Sequence, residues 1–331
     1  MALTVNAAFA EFLANIVNLD AQESNIAKSS RSWLMNRVHE LPEKDAQFPR
    51  LYAERDIHFG SFERKTKKKP LDDIDTMVCM AAQGATWNEL GGSIYMDTDN
   101  AQSPLYRLRH ADGRYVNSRR VINKFVDALV AVPQYKKAEI GRCGEAVVLN
   151  LTSYDWSFDI VPCFFSAPDH VGRQFYIIPD GNGHWKKTDP RIDRSRIQEL
   201  VAAKGRDVLD TIRLVKYWNR RSTMQSMGSY LIENLILCVY ENMDSTVWPD
   251  LNFMHVIDRL RNRIYDAVQD PKGMQGDLNN LGIFDRWAIS NRCDSDLKKC
   301  MEARNLETVD QMKEAINKWA EIFGPQFPTY G

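Results

Sequence analysis

Asp73 and Asp75, one residue apart in the run Asp72-Asp73-Ile74-Asp75-Thr76-Met77-Val78-Cys79-Met80, are the residues whose spacing first suggests chemistry. The run reads as a strand, and in a strand residues i and i+2 project to one face. Two carboxylates held that close repel and raise each other's pKa. A divalent cation removes the conflict, and an all-oxygen donor set suits Mg²⁺ or Mn²⁺. Upstream, Gly60-Ser61 reads as a tight turn. Glycine lets backbone N–H groups approach a phosphate closely, and serine adds a hydroxyl. Gly-Ser alone also makes an ordinary turn, and Asp-Ile-Asp alone an ordinary polar edge strand. A third carboxylate would make the combination informative.

Asp159 is the candidate, a single acid in the apolar run 156–165, Trp-Ser-Phe-Asp-Ile-Val-Pro-Cys-Phe-Phe. Burying a lone charge there is costly without a partner. Asp159 therefore either pairs with an arginine or joins Asp73 and Asp75 from a neighbouring strand. Pro162 cannot donate to a ladder, so the strand is expected to end or bulge there.

Other elements must position these groups. Residues 7–17 and 20–41 carry apolar stripes at helical spacing, the second closed by Pro42, and are expected to pack under a sheet. The cations Arg64, Lys65, Lys67, Lys68 and Lys69 form either a solvated loop or a hairpin loop that helps hold a triphosphate. Residues 81–114, rich in Gly, Asn and Asp, read as an irregular insertion. Residues 117–132 read as a helix with Ser118 as its cap. Residues 145–151 read as a strand. Toward the C-terminus, 254–268 and the segment after Thr308 read as helices, the latter with a Thr308/Gln311 capping box. Residues 324–331 read as a loose tail.

Composition is that of a globular protein, 44% hydrophobic and 26% charged. Lys+Arg 43 against Asp+Glu 44 gives a net charge of −1, without the basic excess of a nucleic-acid coat. At 331 residues two lobes are expected. No signal peptide and no membrane span are read, and the six scattered cysteines read as reduced thiols, so a cytoplasmic protein is expected.

In order, Gly60-Ser61, Asp73-x-Asp75 and Phe158-Asp159-Ile160-Val161-Pro162 resemble the polymerase-β-like nucleotidyltransferase superfamily. Tyr176-Ile177-Ile178-Pro179, Trp185, Thr188-Asp189-Pro190, Leu214-Val215-Lys216-Tyr217-Trp218-Asn219 and Ser229-Tyr230-Leu231-Ile232-Glu233 resemble the cGAS/DncV-like nucleotidyltransferases (CD-NTases) of bacterial CBASS anti-phage systems. The 2′-5′ oligoadenylate synthetases share that plan. The resemblance implies an α+β fold. A polymerase-β-like core with a mixed, mainly antiparallel sheet (1–195) would pack with a C-terminal helical lobe and flexible tail (196–331), the active site lying in the cleft.

It also implies an enzyme that joins nucleoside triphosphates, ATP among them, into a cyclic di- or trinucleotide messenger. The alternatives are transfer of nucleotides to an RNA or protein acceptor, and a nucleotide-binding sensor without turnover. By the same resemblance, Asp73, Asp75 and Asp159 would hold two Mg²⁺ or Mn²⁺ ions, Asp159 mainly the one beside the acceptor hydroxyl. Gly60, Ser61, Lys216 and Ser229 would contact phosphate, with Glu233 positioning Ser229 or a lysine. Of the aromatic candidates Trp185, Tyr217, Trp218 and Tyr230, the last is the one expected to stack on a base. No Cys/His cluster for a DNA-gripping zinc ribbon is present, so long double-stranded DNA is not an expected partner. A terminal Gly331 fits conjugation by an E1/E2-like enzyme.

Overall fold

The computed structural model describes residues 2–331 as two compact units. One comprises residues 22–63 and 71–191 and is built on a sheet. The other comprises residues 2–21, 64–70 and 192–331 and is helical.

The sheet has nine strands: β1 (Ile57–His58), β2 (Asp73–Cys79), β3 (Thr86–Leu90), β4 (Ser93–Asp97), β5 (Glu139–Cys143), β6 (Ala146–Asn150), β7 (Ser157–Phe165), β8 (Tyr176–Pro179) and β9 (Trp185–Thr188). Their order is β1-β2-β7-β8-β9-β4-β3, with β6 also on β7 and β5 on β6. Every ladder is antiparallel except β2 with β7. One face of β5–β7 is covered by the helix Ser118–Val130, whose Val121, Ile122, Phe125 and Leu129 are buried. Asn117, not Ser118, caps it, its side-chain oxygen accepting from the N–H groups of Arg119 and Arg120.

β7 runs straight through Pro162. The carbonyl of Cys163 accepts from Met80 N–H, so residue 163 turns its polar groups toward the β2 side and residue 162 toward the other. On that other side β6 pairs only as far as Ile160, and β8 begins at Phe164. A missing donor at 162 therefore costs no ladder bond, and the expected break does not occur. Residues 81–114 are not irregular either: β3 and β4 form a hairpin across Gly91-Gly92, whose φ values of 60° and 81° suit a two-residue primed turn.

In the helical unit the N-terminal helix Val5–Phe12 packs on the last helix, Met312–Phe323, rather than under the sheet. Phe9 meets Trp319 edge-on at 4.9 Å and Phe327 at 5.1 Å. The tail is accordingly docked, not loose: Phe327 is 2% exposed, Gln326 accepts from the Tyr217 hydroxyl, and Tyr330 bridges to Ala2. Segment 64–70 is likewise not a solvated loop. Lys69 N–H donates to Val17 O, Lys68 bridges to Asn18, and Thr66 is fully buried. The remaining helices are Pro190–Lys204, Asp207–Asn219, Ser229–Tyr240, Pro249–Arg263 and Ile283–Thr308. Gln311 precedes the last helix without a side-chain cap bond, so the expected capping box is not formed. No described helix is long and apolar enough to cross a membrane.

Candidate active site

The parallel register of β2 and β7 decides where the acids stand. Asp73 pairs with Ser157, and Asp75 pairs directly with Asp159. Paired residues on neighbouring strands, about 4.8 Å apart, point to the same face. Asp73, Asp75 and Asp159 are therefore on one face of two adjoining strands, each half-buried. Ile74, Thr76, Phe158 and Ile160 alternate with them and are fully buried behind. The hydrophobic alternation fixes this register, because a one-residue slip would drive the acids into the core.

Gly60 opens the four-residue helix Gly60–Glu63 at φ 74°. The preceding residue is tied to β2 by Phe59 N–H donating to Asp75 O at 3.3 Å. A Cβ on Gly60 would overlap the carboxylate of Asp75 and come within 2.9 Å of its Cβ. The turn therefore lies directly on Asp75 and takes Ser61, the next residue, with it. This close approach and the three acceptor-only side chains on one face fit a divalent-cation site. Each of the three acids is engaged in a polar or electrostatic interaction, and no described set of three His, Cys, Asp or Glu groups is already gathered as a metal cage.

The helical unit holds a second cluster. Lys216, near the C-terminal end of Asp207–Asn219, is 4% exposed and donates to Thr66 O at 3.1 Å and to a Glu233 carboxylate oxygen. The other oxygen of Glu233 accepts from Arg64 Nε at 3.0 Å. Burial alone would raise the Glu233 pKa, but the Arg64 and Lys216 charges override it and hold the group at about 2. Burial lowers Lys216 below the usual lysine range; Glu233 opposes that, while Arg64 and Lys67 reinforce it. Both partners shift downward for different reasons: at Lys216 burial outweighs the attraction of Glu233, whereas at Glu233 the charges of Arg64 and Lys216 outweigh burial. The surplus positive charge in a buried place suits an anion. Glu233 is thus bonded to Lys216 and Arg64 and, among the described residues, makes no hydrogen bond to Ser229. Thr66 is the member that the sequence does not single out; Arg64 stands out there only as one of a run of cations, with nothing to tie it to Glu233.

Ser229 is exposed in the first turn of Ser229–Tyr240, following Gly228. Ser229 and Tyr230 line a cavity of about 500 Å³ with residues of the 275–281 loop. The Tyr230 hydroxyl donates to Asp193 at 2.6 Å and accepts from Lys272 at 2.6 Å, and Lys272 also lies 4.3 Å from the ring centroid. Burial and then Asp193 push this phenol well above the usual tyrosine range. The other aromatic candidates are structural. Trp185 is buried and donates to Val116 O, Trp218 is buried and donates to Asp296, and Tyr217 packs edge-on against Phe12.

No protein-family model matches the chain. A Bacillus cereus (strain VD146) protein named a probable cyclic nucleotide synthase is 41% identical over 331 residues, 100% of this chain and 99% of that protein. The chain belongs to the CD-NTase family. Solved CD-NTase structures share its fold. Escherichia coli MS115-1 CdnC, in complex with HORMA-deltaN, superposes at TM-score 0.72 with 17% identity, covering 98% of each chain. Vibrio cholerae DncV, a cyclic AMP-GMP synthase described as a prokaryotic cGAS homolog, gives TM-score 0.68 with 12% identity, covering 99% of this chain and 98% of that one. As in these CD-NTases, a mixed, mostly antiparallel sheet is followed by a helical C-terminal part.

Proposed function

We propose that the protein is a template-independent nucleotidyltransferase that joins nucleoside triphosphates into a cyclic di- or trinucleotide messenger, in cytoplasmic anti-phage signalling. The observation that supports this reading most is the in-register pairing of Asp75 with Asp159, in a chain 41% identical along its length to a probable cyclic nucleotide synthase. Asp73, Asp75 and Asp159 would hold two divalent cations, Mg²⁺ or Mn²⁺. When bound, such ions supply Lewis acidity to phosphoryl oxygens and lower the pKa of an attacking hydroxyl.

The chain's own groups do the rest. Gly60 lets the backbone come close, and Ser61 offers its hydroxyl and N–H to phosphate. Lys216, held by Glu233, presents fixed positive charge to phosphate in a buried setting, where it is screened less by salt. Ser229 offers a hydroxyl and helix-start N–H groups to an anion. Tyr230 would stack on a nucleobase, its ring fixed by the bonds of its hydroxyl to Asp193 and Lys272.

The test is incubation with four labelled NTPs and Mg²⁺ or Mn²⁺. The expected result is a phosphatase-resistant product that Asp73→Ala abolishes. Linear, acceptor-extended RNA, or nucleotide binding without pyrophosphate release, would contradict the proposal.

A further inference from the structure

The helix Ala21–His39 buries Ala27, Arg31, Leu34, Met35 and Val38, an apolar stripe at helical spacing with one cation in it. Arg31 is 7% exposed. A charge on a buried helix face is costly unless it is paired, and an apolar side chain of similar length would pack there as well. What Arg31 holds accounts for its place. Its Nη1 donates to a Glu63 carboxylate oxygen at 3.1 Å, and its Cζ lies 5.8 Å from the centroid of the Phe62 ring. Phe62 and Glu63 are the last two residues of the helix Gly60–Glu63. One turn along from Arg31, Met35 Sδ accepts from the Thr76 hydroxyl at 3.6 Å, behind the acid-bearing face of β2. The turn that carries Ser61 is thus tied at both ends within the sheet unit. At its front, Phe59 N–H donates to Asp75 O. At its rear, Arg31 holds Glu63, after which the chain leaves this unit. Both ties lead back to β2, the first directly and the second through the helix docked behind it.

We infer that Arg31 is a positioning residue for nucleotidyl transfer: by holding Phe62 and Glu63 it sets where Ser61 stands relative to Asp75. The inference rests on the reading of Ser61 as a phosphate contact. Arginine suits the task. Its guanidinium stays charged at any working pH, and its planar fork fixes direction as well as distance to a carboxylate. The same group is attracted to an aromatic ring within about 6 Å. Arg31 acts through the turn and not on the nucleotide itself. The effect is worth having, because a misplacement of about an ångström in a group that grips substrate can cost roughly a hundredfold in rate.

The test replaces both partners, because removing Arg31 alone strands the Glu63 charge and weakens the fold. In Arg31→Met/Glu63→Leu the pair becomes two apolar side chains of similar length, an exchange that is often neutral or stabilising. Pyrophosphate release is followed with four NTPs and Mg²⁺, ATP being varied, on full-length wild type, this double variant, Ser61→Ala and the triple variant, each beside a thermal melt. The double variant is expected to melt close to wild type and to raise the KM for ATP about tenfold or more. In the Ser61→Ala background the same two substitutions are expected to change KM by less than about twofold, because their effect passes through Ser61. Wild-type kinetics in the double variant, or losses that multiply in the triple variant as those of independent sites do, overturn the inference and leave the nucleotidyltransferase reading standing. Arg31→Lys keeps the charge and loses the fork, so its KM is expected to rise severalfold. An Arg31→Lys protein with wild-type KM overturns the inference even where the double variant does not fold. A Ser61→Ala protein with unchanged KM removes the phosphate reading of Ser61, and the inference with it.

Discussion

Gly60 is the residue whose replacement should be felt most sharply relative to its size. Its φ of 74° is unfavourable for any residue with a Cβ, by roughly 1–2 kcal/mol. That Cβ would also overlap the Asp75 carboxylate. Gly60→Ala is therefore expected to displace Asp75 and lower turnover about a hundredfold, some 3 kcal/mol of barrier. Steady-state kinetics beside a thermal melt would check this, and near-normal turnover would contradict it. Glu233 carries a pH prediction. Its folded pKa of about 2 lies below its usual 4.5. A depressed carboxyl pKa stabilises the folded state above the unfolded value. Its contribution is thus complete above about pH 4.5 and is lost as pH falls toward 2. Glu233→Gln leaves Arg64 and Lys216 without their counter-charge and should cost roughly 3–5 kcal/mol at pH 7. It should also flatten acid unfolding across that window in urea melts at stepped pH. A loss that is the same at pH 2 and pH 7 would show that the ion pair is not the cause.

At the scale of elements, both acid-bearing strands could be recognised from their own residues, and their pairing could not. Period-2 alternation puts Asp73 and Asp75 on one face of β2. That Asp75 meets Asp159 depends on a parallel pairing between segments more than eighty residues apart, which no local pattern encodes. The β3–β4 hairpin escapes a reading by alternation because β3 is mostly exposed. The long helix Ile283–Thr308 escapes because Ile283, Phe284 and Trp287 at its start are exposed and blur the apolar stripe. The tail looks loose because glycine and prolines dominate it, yet Phe327 is buried among Phe9, Phe12 and Phe323. Phe327→Ala should accordingly destabilise the protein by about 3–5 kcal/mol in denaturant titration. A change below about 0.5 kcal/mol, typical of surface positions, would mean that the aromatic cluster does not hold the tail.

For the molecule as a whole, family membership was legible because an ordered set of short motifs spreads along the chain, from Gly60 to Glu233. The helical cluster around Lys216 was legible only in part. Lys216 and Glu233 carry family-like spacing, whereas Arg64 and Thr66 come from a segment distant in sequence, and only folding brings them to that pair. Catalysis requires above all that Asp159 acts with Asp73 and Asp75 rather than serving as a structural ion-pair partner. The most direct test is Asp159→Asn, which keeps the side-chain shape and removes the charge, assayed for pyrophosphate release and cyclic product by mass spectrometry, with circular dichroism to confirm folding. The expected result is a folded protein whose product formation falls by roughly a hundredfold or more, about 3 kcal/mol of barrier. A folded Asp159→Asn protein that still makes cyclic product at close to the wild-type rate would contradict it.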